Sequence, residues 1–267
     1  MDYSVLMTVY KKEKPEYLKS AIESMLNQTV PPAQFVLVCD GPLNPELDDA
    51  IESFGERLDV LRLEENRGPG YARSEGFKLC RYELTATLDS DDISVPDRCE
   101  KQLEAFENDP SLALVGGEIE EFYDDPDSAH SVHKVPLTHG EIISYSKLRN
   151  PFMSSSVMIK NRVYDAVGGF RTDWRVFEDY ELWVRILQGG YKTANLPKVL
   201  VKMRTPEDFY KRRGGRKYAK KMVAFRKQLK RSGWINRRQY AVGTYPYYLV
   251  CIMPNGMRKL VFKLLRK

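Results

Sequence analysis

The first 117 residues alternate short apolar runs with longer amphipathic runs, and this alternation constrains the fold more than any other feature of the chain. The short runs resemble buried β-strands. The longer ones, such as Pro15–Gln28, place Leu18, Ile22 and Met25 on one helical face. Apolar strands that alternate with helices are typical of a mostly parallel sheet covered by helices on both faces. The sequence therefore predicts an α/β fold.

Polar residues follow the predicted strands at four places, namely Tyr10, Asp40, the Asn66–Gly68 turn and the Asp89–Asp92 segment. In parallel sheets, the loops after the carboxyl ends of the strands carry the ligand. We therefore expect these four segments to meet at one edge of the sheet and to form a single binding site.

Three carboxylates, those of Asp89, Asp91 and Asp92, lie within four positions directly after an apolar strand. Carboxylates this close repel one another unless a cation lies among them. A divalent cation that shares its oxygen ligands with substrate phosphates is the predicted partner. The alternative is an acidic turn that caps a helix beginning at Pro96, because Asp is favoured at helix starts.

Charge divides the chain into two predicted domains. Residues 1–208 hold 24 basic and 37 acidic residues, a net charge of −13, whereas residues 209–267 hold 18 basic residues and no acidic ones. We expect an α/β domain over 1–208 and a basic, helical extension over 209–267. Such a block of one sign indicates a polyanionic partner for the extension.

The end of the extension, Met257–Lys267, alternates basic and apolar residues at helical spacing, which predicts a helix lying on an anionic membrane surface. Nucleic acid is the alternative partner, but no nucleic-acid-binding motif accompanies the charge. We therefore expect no nucleic-acid partner. No apolar run approaches the roughly 20 residues that cross a bilayer. The four scattered cysteines suit reduced cytosolic thiols. We expect a cytoplasmic protein that associates peripherally with the inner face of the cell membrane.

The order and spacing of several motifs over about residues 3–215 resemble the family 2 glycosyltransferases, which are inverting enzymes of the GT-A fold. The matching segments are Ser4–Tyr10, Asp40–Pro42, Asn66 and Gly68 with Ala72, Arg73 and Gly76, Leu88–Asp92, Gly168–Arg171 and Glu178–Trp183. The pattern looks most like the bacterial branch that builds capsule and other surface polysaccharides. The resemblance implies a Rossmann-like sheet with a nucleotide-binding half (1–117) and an acceptor half (118–208).

The resemblance also implies roles in binding a nucleotide-sugar donor. Asp91 would ligate Mn²⁺ or Mg²⁺ between the donor phosphates, and Asp89 would contact the ribose or the metal. Asp92 either assists the metal or caps the next helix. The other residues carried over as donor-binding are Thr8, Tyr10, Asp40, Arg73, Ser90 and Arg213. The alternative for Tyr10 is an ordinary aromatic residue at the end of a strand. The alternative for Arg73 and Arg213 is a solvated arginine without a role in binding.

Glu178 and Asp179 match the family's acidic pair on the acceptor side, where the resemblance makes Asp179 the catalytic base. Inverting transfer needs one carboxylate to take the proton from the acceptor hydroxyl as that hydroxyl attacks the sugar. The alternative is a pair of acids that caps the helix beginning there.

The chain departs from the family pattern at two places. Many members carry two acids where this chain has Cys39–Asp40, so both the recognition of the base and its identity as uracil stay open. The second departure is the segment Asn150–Ser156, because relatives often carry a His and a Pro near 154–155, where this chain has Ser154 and Ser155. The three histidines, His130, His133 and His139, lie in a polar loop without a carboxylate pattern and are not expected to bind metal.

These observations lead us to expect a metal-dependent inverting hexosyltransferase. It would move a sugar from a nucleotide donor, UDP-linked by resemblance, to a hydroxyl of a lipid-linked or growing surface glycan. The first alternative is a sugar-nucleotide pyrophosphorylase, but Tyr10–Lys14 lacks the Gly-rich loop typical of those enzymes. The second is a non-catalytic protein that binds membrane or nucleic acid.

Overall fold

The computed structural model describes residues 1–172, 174, 176–205, 214–258 and 261. The chain divides into two compact units, one formed by Met1–Ile142 with Pro151–Arg204 and the other by Ile143–Asn150 with Thr205–Lys267. The boundary predicted between 208 and 209 lies outside the described residues. The short segment Ile143–Asn150, which the charge pattern assigned to the first domain, clusters with the second unit.

The first unit holds the sheet and most of the helices. Its strands are β1 (Tyr3–Val9), β2 (Gln34–Cys39), β3 (Asp59–Arg62), β4 (Leu84–Asp89), β5 (Ile93–Ser94), β6 (Leu112–Phe122), β7 (Ser131–His133), β8 (Met158–Lys160) and β9 (Lys192–Arg204). Its helices are α1 (Pro15–Leu26), α2 (Pro45–Glu52), α3 (Pro69–Phe77), α4 (Arg98–Asn108), α5 (His139–Ser146), α6 (Asn161–Ala166) and α7 (Glu178–Gln188), and the end of α5 belongs to the second unit. Short 3₁₀ turns occupy Gly55–Arg57 and Ser154–Ser156.

The strands form one mixed sheet in the order β3-β2-β1-β4-β8-β6-β9-β5, with β7 beside β6. The four strands from β3 to β4 are parallel, as the alternating pattern predicts. The short β8 runs antiparallel between β4 and β6, and β6 pairs in parallel with β9. The predicted α/β sheet with flanking helices is thus confirmed.

The sequence predicts two closing strands, Tyr191–Leu196 and Val199–Met203, but the structure has one long strand there, β9. Its pairing with β6 shifts register between Gly117 and Ile119, opposite Pro197. Proline cannot donate a ladder hydrogen bond, so the strand bulges there and then continues. An apolar pattern broken by a proline therefore indicated two strands where the backbone makes one.

A buried arginine and glutamine stabilise the place where parallel pairing gives way to antiparallel pairing. Arg98 is fully buried, and its guanidinium donates to the carbonyl groups of Thr87 (2.8 Å) and Val157 (3.1 Å). Gln102, one turn later on α4, donates to the carbonyls of Val115 and Ser156. These carbonyls lie where the strands part, and buried carbonyls without partners are costly. The two side chains therefore hold the end of β4 in place.

The second unit contains the helices α8 (Gly215–Arg231) and α9 (Arg237–Ile252). Helix α8 buries apolar residues at helical spacing, namely Ala219, Met222, Phe225 and Leu229. Asn236 and Gln239 form a capping box at the start of α9. The Lys147 ammonium lies 3.1 Å from the centre of the Trp234 ring and donates to the Trp234 carbonyl. Among the described residues, no helix is both long enough and apolar enough to cross a membrane. The predicted membrane helix Met257–Lys267 lies largely outside them.

Helix α3 packs closely on the sheet because Gly76 has no side chain. A Cβ at this position would lie 2.8 Å from Cγ2 of Val38 and closer still to Cδ1 of Leu6. We expect Gly76→Ala to lower the free energy of unfolding by about 1–3 kcal/mol, because overpacking outweighs the better helix propensity of alanine. Urea denaturation measures the change. Gly140→Ala on α5 is the matched control, since a Cβ there meets no atom within 4 Å. Equal effects of the two substitutions would contradict the packing argument.

Candidate active site

The acidic loop Asp89–Asp92 follows β4 at the carboxyl end of the parallel strands. Oδ1 of Asp89 accepts a hydrogen bond of 2.5 Å from the Arg73 guanidinium, and Oδ2 accepts one of 2.9 Å from the hydroxyl of Ser155. Both carboxylate oxygens of Asp89 therefore have protein partners. Ser155 belongs to the serine-rich segment where the chain departs from the family pattern, so the departure lies directly against the acidic loop.

Asp92 ties the acidic loop to the end of β9. Its side chain is buried, and Oδ1 accepts a hydrogen bond of 2.9 Å from the backbone N–H of Arg204. Burial, together with the charges of Asp91 and Asp89, raises the pKa of Asp92 well above its ordinary value. The alternative in which Asp92 caps the next helix is wrong, because α4 begins only at Arg98.

Arg204 holds the same loop from the other side, and the sequence analysis did not identify it. Its Nε donates to the carbonyl of Asp91 (3.3 Å), and Nη1 donates to the carbonyls of Tyr123 and Asp124. The guanidinium carbon lies 3.7 Å from the centre of the Tyr17 ring. A lone arginine at the end of a strand carries no local signal of such a role, because its partners are distant in sequence.

Asp91, like Asp89, is partly exposed, whereas Asp92 is buried. Within the described parts of the chain, no three His, Cys, Asp or Glu side chains converge to hold a metal ion. A site with one carboxylate suits Mg²⁺ or Mn²⁺ when substrate phosphates supply further ligands. Because the Asp91 carboxylate lies on a partly exposed residue, the residues present fit a metal held at Asp91 with the donor.

The predicted donor-binding residues on β1 lie beside the acidic loop. Thr8 pairs with Asp89 in the sheet register, and Tyr10, just after β1, is 40% exposed. Ser90 is buried, and its hydroxyl donates to Oε2 of Glu13 at 2.6 Å. Glu13, which the sequence analysis missed, thereby joins the loop after β1 to the acidic loop. Arg213 lies outside the described residues.

Asp40 fixes the turn that precedes α3. Its carboxylate accepts hydrogen bonds from the backbone N–H groups of Arg67 (2.8 Å) and Gly68 (2.9 Å) and from the Asn66 side chain (2.9 Å). Gly41 has a positive φ of 86°, and a Cβ there would lie 2.6 Å from the backbone nitrogen of Asn66. The Asp40–Gly41 and Asn66–Gly68 motifs are therefore two halves of one structural feature.

Arg73 joins the acidic loop to the acidic pair on α7. Its Nη1 lies 3.7 Å from Oε1 of Glu178, while Nη2 binds Asp89. Burial alone would lower the pKa of Arg73, but the charges of Asp89, Glu178 and Asp179 raise it above its ordinary value. The alternative of a solvated helix arginine is wrong, since Arg73 is buried among these carboxylates.

The acidic pair begins α7. Phe177, directly before it, has a φ of 70° and is the non-glycine residue with positive φ in the described chain, a backbone geometry that costs energy and is common at functional sites. Glu178 is buried against Gly70, and burial together with the Asp179 charge raises the pKa of Glu178 to about 7. Asp179 is partly exposed, and its Oδ1 accepts a hydrogen bond from the Tyr180 N–H.

His133 and His139 lie in β7 and at the start of α5 rather than in a loop, and His130 and His139 have partners within the protein. His130 stacks on the Tyr123 ring with ring centres 4.0 Å apart and lies 3.8 Å from Glu121. Nδ1 of His139 lies 3.2 Å from the hydroxyl of Thr193. Neither belongs to a cluster of potential metal ligands among the residues with described positions.

The fold is similar to that of solved structures with low sequence identity to this chain. The mannosyltransferase PcManGT from Pyrobaculum calidifontis, in complex with GDP-Man and Mn²⁺, superimposes with a TM-score of 0.69 at 15% identity, over 99% of this chain and 81% of that chain. S. aureus TarS 1-349 in complex with UDP-GlcNAc gives a TM-score of 0.64 at 17% identity, over 86% and 66%. At these identities the likeness concerns the fold, which is GT-A.

Sequence comparison identifies the family. Residues 4–171 match the family model described as glycosyl transferase family 2. The chain is 34% identical over 243 residues to the amylovoran biosynthesis glycosyltransferase AmsE of Erwinia amylovora, covering 89% of this chain and 90% of the relative. It is 32% identical over 263 residues to the UDP-Gal:alpha-D-GlcNAc-diphosphoundecaprenol beta-1,3-galactosyltransferase of Escherichia coli, covering 98% and 95%. The chain therefore belongs to glycosyl transferase family 2 and is a glycosyltransferase.

Proposed function

We propose that this glycosyltransferase is a metal-dependent inverting hexosyltransferase that uses a UDP-linked donor and a hydroxyl acceptor on a lipid-linked or growing surface polysaccharide. The observation that carries the proposal is the position of Arg73, which contacts both Asp89 and Glu178. This shared contact supports a single site formed by the acidic loop and the acidic pair. The names of the relatives, which specify amylovoran synthesis and a UDP-Gal donor with a diphosphoundecaprenol acceptor, support the substrate classes.

Asp91 would hold Mn²⁺ or Mg²⁺ together with donor phosphate oxygens. Such an ion, when bound, neutralises the charge that develops on the departing nucleoside diphosphate. The Mn²⁺ in the PcManGT complex supports metal use in this fold. Thr8, Tyr10, Asp89, Ser90 and Arg213 are proposed to contact the donor, while Asp40 and Arg73 shape the donor side through their protein contacts.

Asp179 is the proposed base. It would take the proton from the acceptor hydroxyl while the hydroxyl oxygen forms a bond to C1 of the sugar. The C1–oxygen bond to the diphosphate breaks on the opposite face, which inverts the configuration. Glu178 is proposed as its catalytic partner, since it contacts Arg73 and lies beside Asp179 at the start of α7. A lipid-linked acceptor also supports a cytoplasmic protein that is peripheral to the inner face of the membrane.

The base assignment predicts the effect of Asp179→Asn. The amide cannot accept the proton, so we expect transfer to fall by about 10²–10⁴-fold, the usual contribution of a positioned base. Donor affinity, measured by calorimetry, should stay within about twofold. Asp165→Asn, an exposed carboxylate on α6, is the matched control and should keep full activity. Normal transfer rates in Asp179→Asn would show that another group acts as base.

The metal assignment predicts the effect of Asp91→Ala. Calorimetric titration of wild-type protein with the nucleotide diphosphate should give a higher affinity when Mn²⁺ is present. In Asp91→Ala the affinity should no longer respond to Mn²⁺, because the protein ligand of the ion is gone. The exposed Asp165→Ala variant should respond as wild type does. A full Mn²⁺ response in Asp91→Ala would exclude this aspartate as the ligand.

The raised pKa of Glu178 predicts a pH-dependent stability. Between its ordinary pKa of 4.5 and about 7, the folded chain binds more protons at Glu178 than the unfolded chain does. Stability from this group therefore falls as the pH rises through that window. Glu178→Gln removes the effect. As the pH rises from about 5 to about 8, the free energy of unfolding of the variant minus that of wild type should therefore increase by about 2–3 kcal/mol. Parallel pH profiles of the two proteins, measured by urea denaturation, would contradict the assignment.

A further inference from the structure

Helix α9 exposes an apolar face. Val242, Tyr245, Leu249 and Ile252 are 56%, 63%, 55% and 44% exposed. Their spacing of three, four and three residues places them on one side of the helix. The opposite side of α9 carries the buried residues Thr244, Val250 and Cys251. The helix therefore presents apolar side chains on both faces, whereas a helix at a water-facing surface usually has a polar outer face.

The sequence around this face excludes charge from it. From Gln239 to Met257 the chain has no charged residue, and four of these positions are tyrosines, namely Tyr240, Tyr245, Tyr247 and Tyr248. Tyrosine combines an apolar ring with a polar hydroxyl and suits the boundary between water and lipid. Clustered exposed apolar residues of this kind mark an interaction site.

Basic residues border the same helix. Arg237 and Arg238 in its first turn are exposed, as are Lys230 and Arg231 at the end of α8. The Lys230 ammonium lies 4.8 Å from the centre of the Tyr240 ring, so this basic side chain of α8 reaches the first turn of α9. From residue 209 onward the chain has 18 basic residues and no acidic ones. An apolar face bordered by uncompensated positive charge complements an anionic surface with an apolar interior.

We propose that the exposed face of α9 inserts into the surface of an anionic lipid bilayer, with the neighbouring lysine and arginine side chains contacting lipid headgroups. Insertion is parallel to the surface, because α9 has 16 residues and a helix needs about 20 to cross a bilayer. The surface is distinct from the predicted tail helix Met257–Lys267. The proposal rests on the proposed function only for the lipid-linked acceptor, and binding to vesicles is measured without any turnover.

Vesicle sedimentation tests the proposal with the full chain. Wild-type protein should sediment with phosphatidylcholine vesicles that contain phosphatidylglycerol and much less with pure phosphatidylcholine. Leu249→Asp should weaken this binding by about tenfold, because the leucine side chain can no longer leave water. Val132→Asp is the matched control, since Val132 is an exposed apolar residue (45%) on β7 in the first unit and the change in charge is the same.

A second measurement distinguishes insertion of α9 from electrostatic attraction of other basic residues to the anionic vesicles. In Tyr245→Trp, the new indole should be quenched by phosphatidylglycerol with brominated acyl chains, whereas the indole of Val132→Trp should not. Absence of quenching at position 245, or wild-type binding by Leu249→Asp, would overturn the proposal. Light scattering without vesicles checks for a dimer. Loss of a dimer in Leu249→Asp, with no vesicle binding in wild type, would assign the face to a second copy of the chain instead.

Failure of this proposal is distinguishable from failure of the proposed reaction. Transfer to a water-soluble acceptor analogue should be unchanged in Leu249→Asp, because α9 carries none of the proposed catalytic or donor-binding residues. Vesicle binding without transfer activity would support the surface and contradict the reaction. Transfer activity without vesicle binding would support the reaction and contradict the membrane-binding surface.

Discussion

The site depends on the buried guanidinium of Arg73. Asp89 and Glu178 are about ninety positions apart in sequence, and two carboxylates brought to the same guanidinium would otherwise repel each other. The guanidinium lies between them, at 2.5 Å from one and 3.7 Å from the other. Removing one partner of such a group leaves an uncompensated buried charge, which costs more than the pair contributes. The acidic loop and the acidic pair therefore share one electrostatic support.

Much of this arrangement could be predicted from sequence, because it follows from strand order. Parallel strands place Thr8, Asp40 and Asp89 at the same edge whatever the details of packing. The strand bounds were also recoverable where apolar runs are continuous, as in Gln34–Cys39, which is the observed β2. Local pattern failed for β5, β7 and α6, which are two, three and six residues long. Elements this short lack a full period and form through tertiary pairing.

The contacts within the site were less predictable than its location. Ser155, Glu13 and Arg204 contact the acidic loop, but each is an ordinary polar residue in its own sequence segment. Arg204 reaches the loop because β9 pairs with β5, directly after the loop. Asp40 shows the reverse case, since its position was predicted while its hydrogen bonds to the Asn66–Gly68 turn depend on two strands meeting. Position follows from topology, and partners follow from packing.

The charge balance of the site favours an added cation. A nucleoside diphosphate is itself anionic, and it would approach a loop that already carries three carboxylates. Arg73 and Arg204 lie at this loop, but Arg73 is engaged by Asp89 and Glu178, and Arg204 by backbone carbonyls and the Tyr17 ring. Neither can turn to phosphate without giving up those partners. A divalent ion at Asp91 would supply the missing positive charge while leaving both arginines where they hold the protein together.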